Sequence, residues 1–368
     1  MTSLLGGLTP QNFLTRHWHK TPLLARAAIP GFLGFLTPAE IKTLATRADV
    51  QSRLVIRTGK RFEMRHGPFR PIDFKSLPDR DWTVLVQELN HWVPDGADLL
   101  NQFNFAPHAR LDDLMVSYAV PGGGVGPHFD SYDVFLLQGF GERRWSIAKT
   151  RDLELIPNSD LKILKRFKPQ STWDLDAGDL LYLPPQYAHD GVALSECFTY
   201  SIGFRAPTHQ EWVDNFLEYL RDSLVVKGRY ADPDLALQSH PAELSDQLLK
   251  KIRDIMQSVR WNDADIRSCV GRNLSEPKNH IFFEPPEKPL TKARFMAKAY
   301  EKGLRLNPRS RLLFRGNLLF INGEEILFKG ETRRILIQLA NNSQLSAGGN
   351  LAAAADLLYA WYLEGWLN

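Results

Sequence analysis

Two imidazoles and one carboxylate are the residues of this sequence best suited to chemistry. His128 and Asp130 flank Phe129 in the run Gly126-Pro127-His128-Phe129-Asp130. His189 ends the run Gly178-Asp179-Leu180-Leu181-Tyr182-Leu183-Pro184-Pro185-Gln186-Tyr187-Ala188-His189. Residues two apart in an extended strand face the same side. His128 and Asp130 can therefore reach one metal while Phe129 turns into packing. His189 must come from a different strand. Two His and one carboxylate on one face of an octahedron suit non-haem Fe(II) and leave positions open for dioxygen chemistry. Ligand type alone does not exclude Mn(II) or Ni(II), which the same donors bind. An HxD triplet by itself is common; the second stretch and its strand setting give it weight.

The open positions would take two oxygens of a chelating 2-oxo acid and dioxygen. The far carboxylate of such an acid needs a fixed cation. Arg143, in Gly141-Glu142-Arg143-Arg144-Trp145, offers a two-pronged guanidinium for it. Strand alternation puts Arg143 and Trp145 on one face and leaves Arg144 as a solvated neighbour. Ser201 or Thr199, on a strand over residues 198–204, could donate a hydroxyl to the oxoacid; an outward-facing polar row explains them equally well. Asp179 lies near His189, but a Gly-Asp turn accounts for it. Isolated histidines such as His17, His19, His66, His91 and His108 read as packing or surface residues.

These side chains need a small antiparallel barrel, which gathers distant strands around one interior. Expected strands cover residues 114–120, 133–138, 143–148, 171–174, 180–183 and 198–204. Pro184-Pro185 ends the fifth and stiffens the approach to His189. Gly122-Gly123-Gly124 is too short for a phosphate loop and lacks the Lys-Ser/Thr that would follow; it reads as a mobile lip beside the metal. Upstream, Thr37-Pro38-Ala39-Glu40 is a capping box opening a helix over residues 41–48. Residues 53–59 and 67–71 read as strand and turn, and residues 82–91 as a helix with Val84, Leu85 and Leu89 inward.

Downstream, Thr208-His209-Gln210-Glu211 is a second capping box. Trp212, Phe216, Leu220 and Leu224 follow it at helical spacing, and Leu244, Leu248, Ile252, Met256 and Val259 mark another helix. The Pro-rich run 284–289 reads as a linker. A helix, three short strands and further helices then fit a winged helix. Residues 290–334 hold 11 Lys or Arg against 4 Asp or Glu, and residues 335–368 hold 2 acids and no Lys or Arg. The basic half could touch nucleic-acid phosphates, but it shows no interleaved aromatic pattern and a solvated structural face is the favoured reading.

The chain of 368 residues has room for two or three domains, and its 43% hydrophobic content is ample for cores. The divisions expected are 1–207 for the catalytic barrel with its N-terminal extension, 208–285 for a helical region and 290–368 for the last domain. Two cysteines without a CxxC argue against a disulfide framework and a zinc-thiolate site. Residues 1–11 carry no secretory signal, and no apolar run is long enough for a membrane span. A cytoplasmic location is the expectation.

At the phrases Val120-Pro121-Gly122-Gly123-Gly124-Val125-Gly126-Pro127-His128-Phe129-Asp130, Tyr132-Asp133-Val134-Phe135-Leu136-Leu137-Gln138-Gly139 and Gly178 to Pro185, the chain resembles the JmjC oxygenases of the cupin superfamily. More narrowly, it resembles the bacterial ribosomal oxygenases. The resemblance implies an α+β protein: a double-stranded β-helix (cupin/JmjC barrel), a helical dimerisation region and a winged-helix-like C-terminal domain. It implies Fe(II) on His128, Asp130 and His189, and 2-oxoglutarate on Arg143, which stands thirteen positions after Asp130 as the family's basic residue does. It implies a homodimer that hydroxylates an arginine of a large-subunit ribosomal protein. Such a target needs an acidic or aromatic pocket wall, for which Tyr118 and Asp133 are the candidates. N-methyl-lysine or N-methyl-arginine demethylation, and a non-oxygenase metal-binding cupin, are the alternatives. A nucleic-acid-binding regulator is disfavoured because the last helices are apolar and acidic.

Overall fold

The computed structural model describes residues 4–150, 152–157 and 159–368. Its N-terminal part is built on strands β1 (Leu23–Ala25), β2 (Ser52–Thr58), β3 (Arg61–His66), β4 (Trp82–Val86), β5 (Leu111–Ala119), β6 (Val134–Gln138), β7 (Arg143–Lys149), β8 (Ser171–Leu175), β9 (Leu180–Leu183), β10 (Tyr187–Ala193) and β11 (Cys197–Phe204). An eight-stranded sheet runs in the order β1-β9-β6-β11-β5-β4-β2-β3 and faces a three-stranded sheet, β10-β7-β8. Neighbouring strands are antiparallel throughout. This is the double-stranded β-helix expected from the sequence.

Strand alternation divides the side chains between two layers. On β6, Val134 and Leu136 point between the sheets, where they meet Trp145, Ile147, Leu175, Leu181 and Leu183. Phe135 and Leu137 point the other way, into a larger core with Phe13, Leu114, Val116, Tyr118, Tyr182 and Phe204. The second layer is covered by short N-terminal helices, α1 (Pro10–Arg16), α2 (Pro38–Leu44), α3 (Pro71–Lys75) and α4 (Pro94–Leu100). The box that opens α2 is complete, with the Thr37 side chain and Glu40 capping each other's backbone. One end of the space between the sheets is packed with apolar side chains; the other stays open as a cavity.

Several expectations are corrected. Residues 82–91 do not form a helix: β4 is followed by a single 3₁₀ turn at Leu89–His91. All five residues of β4 are buried, so it lacks the alternation that separates a short apolar strand from a helix. His189 comes from a different strand, as expected, but that strand, Tyr187–Ala193, is not among the expected ones. His128 lies outside regular strands and makes a one-residue bridge to His189. The three glycines form no free lip. They are buried, with Gly122 N–H bonded to the Ala193 carbonyl and Ala193 N–H to the Gly123 carbonyl.

Beyond the barrel come α5 (His209–Ser223), α6 (Asp246–Ser258) and α7 (Asp263–Ser275). The Thr208–Glu211 capping box opens α5 as expected. Neither α5 nor α6 buries a single residue. The C-terminal domain comprises α8 (Lys292–Lys302), β12 (Leu304–Arg305), β13 (Leu312–Arg315), β14 (Leu318–Ile321), β15 (Glu324–Leu327), α9 (Gly330–Asn342), β16 (Gln344–Leu345) and α10 (Ala355–Leu363). Strands β13-β14-β15 form the wing sheet, and Phe295, Leu319, Ile321, Leu336, Leu339, Leu358 and Trp361 fill a core of its own. Among the described residues no helix is long and apolar enough to cross a membrane.

Candidate active site

The loop before β6 and strand β10 bring His128, Asp130 and His189 together. One ligating atom from each lies within 4.8 Å of the other two. The backbones are locked by mutual hydrogen bonds, His128 N–H to the His189 carbonyl at 2.9 Å and His189 N–H to the His128 carbonyl at 2.8 Å. Gln186 N–H, at 2.9 Å, holds the Asp130 carbonyl. Each imidazole is oriented from behind: His128 Nδ1 sits 2.9 Å from the Gly126 carbonyl and His189 Nδ1 2.9 Å from the Tyr187 carbonyl. A carbonyl accepts only a proton, so both Nδ1 atoms carry one and both Nε2 atoms keep a lone pair for a metal. Burial, reinforced by the neighbouring His128, pushes the His189 pKa down to about 4. The ring is neutral near pH 7, as a ligand must be. His189 Nε2 lies 3.5 Å from Asp130 Oδ2, too long for a good hydrogen bond but natural for two donors converging on one ion.

Arg143 supplies the second part of the site. It stands on β7, buried, with Nη1 bonded to Ser117 Oγ at 3.3 Å. Nε and Nη2 are also buried and have no partner among the described residues, and neither has Trp145 Nε1. A buried guanidinium with free donors is costly unless an anion completes it. His128, Asp130, His189, Arg143, Trp145, Ser117 and Ser201 line the same cavity of about 430 Å³. The donor set and the orphaned guanidinium together fit a divalent metal and a chelating dicarboxylate. Ser201 is buried and faces this cavity from β11. Thr199 does not take the role weighed for it, since its hydroxyl bonds Gln138. Arg144 faces outward and pairs with Asp174. Asp179 is structural, pairing with Arg26 and accepting the Ala27 N–H.

The two residues expected to hold a cationic substrate are not at the site. Tyr118 lies on the opposite face of β5, in the outer core, and donates to Glu196. Asp133 is fully buried on the outer side of β6, where it meets Tyr182, His19 and Arg110. Parity explains both. Asp113, Met115 and Ser117 share the cavity face of β5, and Val134 and Leu136 that of β6, so Tyr118 and Asp133 are one residue out of phase. Besides the metal-site Asp130, the cavity is lined by Asp112, Asp113 and Asp160. Of these three only Asp113 is buried, and its carboxyl is pushed up to about 6 by burial and then by neighbouring Asp112. Met115 and the rim residue Tyr132 complete an acidic, aromatic wall. Extending the expected strand backwards by two-residue steps from Ser117 would have reached Asp113.

A JmjC-domain family model matches residues 98–212, and a ROXA-like winged-helix model matches residues 258–368. The chain is 35% identical over 369 residues to the ribosomal protein uL16 3-hydroxylase of Escherichia coli, covering 96% of this chain and 97% of that one. It is 38% identical over 256 residues to a probable ribosomal oxygenase of Haemophilus influenzae, covering 67% of this chain and 61% of the relative. Among solved structures, E. coli YcfD superposes with a TM-score of 0.86 at 33% identity, over 98% of both chains. The YcfD complex with cobalt and 2-oxoglutarate superposes with a TM-score of 0.83 at the same identity and coverage.

Proposed function

Because the chain belongs to the JmjC-domain ribosomal oxygenases, we propose that it hydroxylates an arginine side chain of ribosomal protein uL16, using Fe(II) and 2-oxoglutarate. The observation that carries this reading is the pair of free, buried donors on Arg143. They face the same cavity as the His128–Asp130–His189 trio and Asp113. His128 Nε2, His189 Nε2 and an Asp130 oxygen would hold the metal, and Arg143 the far carboxylate of the oxoacid, with Ser201 beside it. When bound, the metal and oxoacid activate dioxygen: one oxygen atom enters a C–H bond as hydroxyl, the other enters succinate, and CO₂ leaves. The rest of the task falls to this chain's own side chains. Asp113 pairs with the target guanidinium, Met115 and Tyr132 flank its aliphatic stem, and the apolar floor formed by Val134, Leu136 and Trp145 keeps water away. A target bound this way presents its carbon chain to the metal rather than its charged end. A ribosomal-protein substrate supports a cytoplasmic location.

The same reading includes a homodimer built on the helical region 208–285. Helices α5 and α6 are strongly amphipathic, yet Val213, Leu217, Leu249, Ile252, Met256 and Trp261 stay exposed. An amphipathic helix gains its stability from a packed apolar face, and within one copy no residue of α6 is buried. A second copy of the chain is the occupant, because the α5–α6 pair can cover its twin across a two-fold axis. Met256→Asp with Ile252→Asp is expected to convert the dimer to monomer or unfold α6, read by light scattering and helical circular dichroism; an unchanged dimer mass rules out this interface.

The hydroxylase reading is tested by intact masses of all ribosomal proteins from cells with the gene, without it, and carrying only Asp130→Ala. A single added oxygen on uL16, present only with the intact enzyme, is the expected result. An unmodified uL16 in all three strains overturns it. Loss of a methyl mass from any protein would instead favour demethylation.

A further inference from the structure

Asp113 is held by Gln87, its neighbour in the cavity lining, and from behind by Glu88, which does not line the cavity. Its Oδ2 accepts from Gln87 Nε2 at 3.1 Å and from Glu88 N–H at 3.2 Å. Glu88 adopts a left-handed backbone, with φ of 55°, which a side chain of this size rarely takes unless its surroundings enforce it. What enforces it is its own carboxylate, buried and gripped on both oxygens. Lys278 Nζ lies 2.9 Å from Oε1 and His280 Nε2 2.7 Å from Oε2. Burial alone would raise this carboxyl, but nearby His91, at 3.6 Å, and the closer His280 and Lys278 hold it well below the usual range. Lys278 also reaches Asp112 Oδ1 at 3.3 Å, next to Asp113 in sequence. Gln51 Nε2 supports His280 at 3.2 Å.

Lys278 and His280 lie in the connection between α7 and α8, far along the chain from β5 and β4. We infer that this connection is a positioning clamp for the substrate-binding acid: Lys278 and His280 fix Glu88, and the Glu88 amide with Gln87 fixes the Asp113 carboxylate in the cavity. The inference rests on the reading of Asp113 as the partner of the target guanidinium. It gives the C-terminal half of the chain a part in substrate affinity with no contact to substrate, metal or oxoacid. A guanidinium is recognised by a carboxylate in one orientation, so loosening the carboxylate weakens substrate binding and leaves the metal end of the cavity intact.

Steady-state kinetics of the full-length protein with recombinant uL16, Fe(II) and 2-oxoglutarate test it. Lys278→Met is expected to raise the KM for uL16 by about tenfold, with kcat and the KM for 2-oxoglutarate held within about twofold. If Lys278 acts through Asp113, Lys278→Met added to Asp113→Asn makes KM no worse than Asp113→Asn alone. An unchanged KM in Lys278→Met, or effects that simply add, overturns the clamp. If Asp113→Asn itself leaves KM unchanged, the reading of Asp113 falls and takes the clamp with it. Should Lys278→Met fail to fold, His280→Ala and His280→Gln carry the test. The first is expected to raise KM and the second, which keeps a donor, to restore it; equal KM values for parent and His280→Ala overturn the proposal.

Discussion

The cavity and the seam behind it, where Glu88 and Asp112 meet Lys278, His280 and Arg311, each hold an arginine and an acid, and treat them in opposite ways. At the seam, Arg311 donates to the carbonyls of Leu111 and Asp112 and pairs with the Asp112 carboxylate. Glu88 has a partner on each oxygen and is held low. In the cavity, Arg143 has one bond, to Ser117, and two idle buried nitrogens. Asp113 is pushed up rather than down. A structural site completes its charges from within the chain, because a buried charge left unpaired costs stability. A binding site leaves charges incomplete for the ligand to finish. Residue type is alike in the two places, and the cavity pair is more deeply buried than Arg311 and Asp112, so what separates framework from function is the state of compensation.

The sharpest way to break this contrast is Arg143→Met. If the idle nitrogens await the oxoacid, their loss raises the KM for 2-oxoglutarate by roughly a hundredfold or more. Arg143→Lys recovers part of it, since an ammonium keeps the charge but not the two-pronged fork. Thermal stability should hold or rise, because an unpaired buried cation has been removed. Oxoacid turnover assays across a concentration series, with a melting curve for each variant, read both quantities. A variant with normal KM and lower stability would make Arg143 another framework residue and erase the distinction.

How far this contrast was legible in the sequence depends on what each residue needed. That His128, Asp130, His189 and Arg143 meet in one cavity was readable from strand alternation at His128-Phe129-Asp130 and from the resemblance that singled out Arg143. The elements holding them were readable where alternation was clean, as in β11, and where caps were explicit, as at Thr37 and Thr208. Strand β10 was missed because Asp190-Gly191 looks like a turn. The glycine is there because a Cβ at position 191 would come within 2.6 Å of the Trp145 ring, a constraint from a distant strand. Asp133 and Tyr118 were misassigned because parity is fixed only once a strand's register on its neighbours is known. The clamp on Glu88 joins residues far apart in the chain and leaves no local pattern.

A second effect, of about tenfold per pH unit, comes from Asp113. With a pKa of about 6 in the free protein, its carboxyl is protonated below that pH and cannot pair with a guanidinium. Values of kcat/KM for uL16 are then expected to fall about tenfold for each unit below pH 6 and to level off above it. The sign follows from the shift: a raised carboxyl loses its charge sooner as pH falls than an ordinary one would. The break should vanish in Asp113→Asn, on a lower curve throughout. A break near pH 4 instead would mean that burial does not raise the Asp113 carboxyl and that its charge is already balanced within the chain.

The smallest effect is the control on the other side. Arg311→Met removes a guanidinium whose bonds are all made within the chain, from a side chain still 21% exposed. The loss is about 1–2 kcal/mol of stability, which for a chain of this size lowers Tm by only a few degrees. Asp112 keeps Lys278 and Arg205, so the acids at the start of β5 stay in place. KM for 2-oxoglutarate and for uL16 should therefore match the parent's, while the melting curve shifts. Paired with Arg143→Met, this inverts the pattern: one substitution spends affinity and spares stability, the other spends stability and spares affinity. If Arg311→Met raised either KM as Arg143→Met does, compensation within the chain would no longer tell a structural charge from a functional one.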